Sequence, residues 1–157
     1  MNVKGNIIKG NIKLPAITVQ RPSPSQSYLT AARYFFPGIR TLSQGGPDLA
    51  IACTFLAAQA LECVLKAYLS NAGTPVTELK KKRSYGHNLE SLWVGAAHKG
   101  LAVPPQPPDW CVILNQTHNE PYHLRYPIGI NAFQYPAFSV MVPELSKLID
   151  LVGSIVK

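Results

Sequence analysis

The chain has 157 residues, of which 46% are hydrophobic and only 15% charged, and it carries a formal net charge of +7. A chain of this length makes one domain able to bury about two thirds of its unfolded surface without staples. Its three cysteines, Cys53, Cys63 and Cys111, are odd in number and form no CxxC pair, which excludes a disulfide frame or a thiolate zinc site and reads as buried free thiols in a reducing compartment.

The basic balance admits an anionic partner such as RNA without demanding one. The low charged fraction leaves little polar surface and points to an oligomer. The first residues hold no apolar leader or cleavage site, so the expected location is cytoplasmic. Val3 to Ile7 and Ile8 to Ile12 are near copies, VKGNI and IKGNI, and their glycines and β-branched residues suit extended chain. Residues 1–26 therefore read as an extended or hairpin-like arm, and residues 27–157 as the domain. Pro15, Pro22 and Pro24 keep helix out until Ser25 or Ser27, either of which could cap a helix from about Ser27 to Leu42. Leu29, Ala32, Tyr34, Phe35 and Phe36 supply its apolar surface, and Pro37-Gly38 should kink or divide it.

Pro47 to Ala72, PDLAIACTFLAAQALECVLKAYLSNA, predicts one long helix on which the rest is organised. Ala and Leu dominate it, Pro47 and Asp48 suit its first turn, and Gly73 is placed to end it. It would run roughly 39 Å. Its first half is apolar all round and needs other helices to cover it. The apolar run is too short to span a bilayer before Gln59, Glu62 and Lys66 interrupt it. These three share one face, with Glu62 and Lys66 in the favourable order for an ion pair.

A connection from Gly73 to Tyr85 follows, carrying Lys80, Lys81, Lys82 and Arg83. The next helix spans about Asn88 to Lys99, with Leu89, Leu92, Trp93, Ala96 and Ala97 on one side and Gly100 as its stop. Val103 to Pro108, VPPQPP, is a stiff connector that packs along the surface. Pro108 and Asp109 open another helix, whose buried side is Trp110, Val112, Ile113 and Leu114 and which Pro121 breaks. Tyr122 to Ala137 reads as an ordered loop. A last helix from Pro143 to Ile155 repeats apolar residues at Leu145, Leu148, Ile149 and Val152. The expected architecture is all-α, a bundle of about five helices around the long central one, with the N-terminal arm.

Three features in this order, LAAQALECVLKAYLSNAG, YGHNLESL and LNQTHNEPYHLRYP, resemble the HEPN family. The matching positions are Ala60, Glu62, Leu65 and Lys66 in the long helix, then His87, Asn88, Leu89 and Leu92. The resemblance covers about Leu29 to Lys157. It implies an all-helical fold, a homodimer paired along the long helices, and association with RNA cleavage, toxin–antitoxin or defence systems and nucleotidyltransferase-type partners. It implies no cofactor. The family's ribonuclease motif is an arginine followed four to six residues later by histidine. Here Arg125 is followed by Tyr126-Pro127 and no histidine comes after it, while His118 and His123 precede it.

The candidate residues each carry two readings. Arg125 either anchors its loop by pairing with Glu62 or Glu120, with His87 or His118 close by, or it binds phosphate. The pairing is favoured, because an isolated charge among apolar neighbours needs a partner. His87 either caps the helix after it or hydrogen-bonds the polar stripe made by Glu62 and Lys66. His118 and His123 lie about 140° apart around a helix and lack a third ligand nearby, so no metal site is expected from them. The run Lys80 to Arg83 is either a solvated loop or a phosphate-contacting patch. The function expected is that of a non-catalytic HEPN-like protein that dimerises and binds RNA, a nucleotide or a protein. The alternative is a metal-independent RNA-cleaving enzyme or toxin using His118, His123 and Arg125, which needs the imidazoles and the guanidinium on one exposed face.

Overall fold

The computed structural model describes residues 21–126, 129 and 132–157. Among them are six α-helices and one 3-10 turn, with no strand: α1 Pro24–Leu42, the turn Pro47–Leu49, α2 Ala50–Asn71, α3 Val76–Leu79, α4 Leu89–His98, α5 Asp109–His118 and α6 Phe138–Ile155. The near-repeats of the N-terminal arm lie outside the described residues.

Helix α1 begins earlier than its serine spacing predicts. Ser23 caps it in a capping box with Gln26, and Pro24 takes the first helical position, where its missing N–H costs nothing. The helix is not divided at Pro37-Gly38. The absence of a Cβ on Gly38 lets α1 lie close to α2, because a Cβ there would stand 3.2 Å from Leu56 Cδ1. Leu29, Ala32 and Ile39 form the buried stripe, whereas Tyr34 is 80% exposed, so the aromatic run faces partly outward.

The long helix enters through the 3-10 turn and then runs as α2, with Leu61, Val64, Leu65 and Leu69 fully buried. Phe55 and Leu56 are half-buried. Gly73, at φ +84°, closes it: Thr74 N–H reaches Leu69 O at 2.9 Å and Gly73 N–H reaches Ser70 O at 3.1 Å. Gly100 ends α4 in the same way at φ +93°. By length and composition alone the span Pro47–Asn71 is apolar enough to cross a bilayer, with a mean hydropathy of 1.6 over its most apolar window, but 56% of that window is buried in the fold, as in the core helix of a bundle.

Helix α2 packs against α1, α4, α5 and α6, and so forms the centre of the bundle. Trp93 and Trp110 meet edge to face at 6.0 Å between α4 and α5, and Trp93 Nε1 donates to Pro104 O at 2.9 Å, fixing the proline-rich connector. The buried stripe of α5 is Trp110, Cys111, Leu114, Asn115 and His118, which follows the helical period; Val112 and Ile113 lie at its margin. Within the connection after α2 sits the one-turn α3. Helix α6 starts at Phe138 and carries Pro143 inside it, so that proline does not mark its start. Its buried residues include Leu145, Leu148, Ile149 and Val152.

Candidate functional site

Helix α2 carries Glu62 into the interior, where it is 7% exposed. A carboxylate so placed must be compensated. Lys66, one turn on, donates to Glu62 Oε1 at 2.7 Å from a side chain that is itself 4% exposed as a residue. On the other oxygen, Oε2, two imidazoles converge: His87 Nδ1 at 2.9 Å and His118 Nε2 at 2.6 Å. Burial pushes the Glu62 carboxyl up, but the His118 hydrogen bond, the Lys66 charge and hydrogen bond, and the His87 hydrogen bond outweigh it and hold the pKa at about 2.

Asn115 ties α5 to the start of α4 next to this cluster, and its role is not evident in the sequence. Its Oδ1 accepts the Leu89 N–H at 2.7 Å, capping an orphan donor of α4, while its Nδ2 donates to Glu90 Oε1 at 2.6 Å. Since Asn115 and His118 stand three apart on α5, they share a face, and His118 meets Glu62 on the side where Asn115 bonds the start of α4. The signal available in the sequence was an amide in the middle of an apolar helix. Asn88 caps α4 through Ser91 N–H at 2.9 Å. His87 is thereby released from capping and reaches the polar stripe of α2.

Arg125 is placed differently from the favoured expectation. It is exposed and pairs with neither Glu62 nor Glu120: its guanidinium carbon stands 6.0 Å from the centre of the Tyr122 ring, while Glu120 accepts from Lys82 Nζ at 2.7 Å. The loop geometry explains this. Tyr122 adopts φ +63°, a left-handed conformation that costs a residue with a Cβ about 1–2 kcal/mol. Its ring packs edge-on to His87 at 5.6 Å, so the aromatic side chain covers His87 and Arg125 lies over that cover. Two loops thus meet on one side of the bundle. Lys80, Lys81, Lys82, Arg83, Arg125 and Tyr126 are all exposed on them, and Tyr122 and His87 are half-buried between them.

His118, His123 and Arg125 are not joined into one constellation. His118 is 1% exposed and bonded to Glu62, His123 is half-buried with its Nδ1 unpartnered among the described residues, and Arg125 faces solvent. The three thiols are protonated at neutral pH: burial lifts Cys53 to about 11 and Cys111 to about 12, and burial with the Glu62 charge lifts Cys63 to about 11. They are therefore poor nucleophiles and poor ligands. A groove of about 350 Å³ between α5 and α6, lined by Trp110, Ile113, Val140 and Glu144, shares no residue with the polar cluster. Comparison of the chain with family models, with curated proteins and with solved structures gave no match.

Proposed function

We propose that this chain is a non-catalytic, HEPN-like protein that acts as a homodimer and binds single-stranded RNA on the face made by its two basic loops. The observation that carries the reading is the junction of those loops. The Lys82–Glu120 pair and the His87–Tyr122–Arg125 stack put the run Lys80 to Arg83 beside Arg125. Exposed cations supply phosphate contacts, and half-exposed tyrosines offer faces on which bases stack without sequence preference. The net charge of +7 favours the same partner.

The dimer part of the reading rests on apolar side chains that the bundle leaves uncovered where α1 and α2 run side by side. Tyr34 on α1 is 80% exposed, Ile51 on α2 56% and Leu49 in the 3-10 turn 39%, apolar surface that a second copy would remove from water. Against cleavage by His118, His123 and Arg125 stands the burial of His118, which removes its imidazole from any substrate.

Fluorescence anisotropy with a labelled single-stranded RNA of about twenty nucleotides, titrated across a salt series, tests the RNA reading. Lys81→Ala, Arg83→Ala and Arg125→Ala should each weaken binding and lower the salt slope by about 1. Binding that none of the three alters, or no binding at low salt, would sink it.

A further inference from the structure

We propose that Glu62 Oε2, His87 Nδ1 and His118 Nε2 form a three-ligand site for a divalent transition-metal ion, zinc(II) by donor chemistry, reached from the His87 side. The three come from α2, the residue before the α4 cap and the last turn of α5, and their ligand atoms all lie within 4.8 Å of one another. This differs from the sequence expectation of no metal, which tested only His118 with His123. The third ligand lies 56 residues from His118 along the chain, where spacing gives no hint of it.

Two imidazoles and one carboxylate make a borderline donor set. It suits zinc and its neighbours better than calcium or magnesium, which take oxygen ligands. Tetrahedral bonds of about 2.0–2.1 Å separate ligand atoms by about 3.3 Å. Nitrogen-to-oxygen distances of 2.9 and 2.6 Å therefore need to open by about 0.4 and 0.7 Å, and the two imidazole nitrogens, within 4.8 Å of each other, to settle at the same separation, to admit the ion in place of the two bridging hydrogens. Lys66 on Oε1 already supplies the hydrogen bond that ligating carboxylates commonly receive from outside the site. The His87 side chain is 34% exposed beside the Tyr122 ring, which makes the His87 side the entry path.

Two features limit the affinity. Lys66 places a positive charge one carboxylate away from the ion. In the metal-bound form His118 Nδ1 would carry the ring proton, and that buried atom has no partner among the described residues. Loss of such an outer partner weakens metal binding about 10–100-fold, so the site should exchange its ion and release it to EDTA.

The test starts from full-length protein stripped with EDTA, dialysed, and titrated with zinc(II) by calorimetry. One zinc per chain is expected, with a melting temperature raised by zinc and returned by EDTA. His87→Ala should bind at least about tenfold more weakly, while His98→Ala and His123→Ala bind as the parent does. Cobalt(II) substitution should give visible absorption without thiolate charge transfer. If His87→Ala does not fold, the imidazole NMR signals of the unaltered protein decide: one equivalent of zinc should shift those of His87 and His118 and leave those of His98 and His123 in place. No saturable binding, equal affinity in a folded His87→Ala, or shifts confined to His98 and His123 would overturn the site.

Discussion

Glu62 is the residue on which the interior depends, because its single charge is shared among Lys66, His87 and His118. Lys66→Ala would leave the buried carboxylate without its cation and should cost about 3–5 kcal/mol in urea denaturation. Arg125→Ala, in contrast, removes an exposed side chain with no ion pair among the described residues, and should leave stability within about 0.5 kcal/mol. The same cluster sets a pH dependence. With the folded pKa at about 2 against 4.5 for the free group, the folded protein binds fewer protons between those values than the unfolded chain does, so stability rises with pH across that window. The contribution is complete above about 4.5 and disappears as pH falls through about 2. In EDTA, the unfolding midpoint of the parent should drop more steeply over that interval than that of Glu62→Gln; parallel curves would show that Glu62 is not the group responsible.

At the scale of elements, the stop signals were legible because they are local. Gly73 and Gly100 end α2 and α4 where the chain must turn left-handed, a conformation only glycine adopts without strain. Gly73→Ala, with open space around the added methyl, should therefore cost about 1–2 kcal/mol from backbone strain alone. Leu61→Ala, in the middle of α2 with no exposure, should cost about 2–5 kcal/mol; a change below about 1 kcal/mol would remove Leu61 from the core. Starts were less legible than stops. Pro24 reads as a breaker and Pro143 as a helix start, yet Pro24 opens α1, where its missing N–H costs nothing, and Pro143 sits inside α6 beyond its first turn, where it forfeits one intrahelical bond. In α5 Trp110 and Leu114 are buried as their spacing predicts, but Val112 and Ile113 lie at the margin and the buried stripe takes in Asn115 and His118, polar residues that the core accepts only because Leu89, Glu90 and Glu62 satisfy them.

For the whole molecule, the bundle leaves Tyr34, Leu49 and Ile51 in water, and a second copy paired along α1 and α2 would cover them. Light scattering at micromolar concentration should give twice the chain mass. Ile51→Glu should reduce it to the chain mass without unfolding the helices by circular dichroism. A monomer mass for the unaltered protein would end the dimer proposal.

The sequence by itself determined the all-α class, the central place of the long helix, and the Glu62–Lys66 pairing, because helical propensity, apolar periodicity and one-turn spacing are properties of neighbouring residues. Tertiary structure alone decided the partners of Glu62. His87 and His118 meet it from two other elements, and Arg125, the cation expected beside it, is carried outward by the turn at Tyr122. The physical reason is that a buried charge requires compensation but does not specify which distant group provides it. That choice follows from how α4 and α5 dock on α2, where Asn115 of α5 also bonds the start of α4.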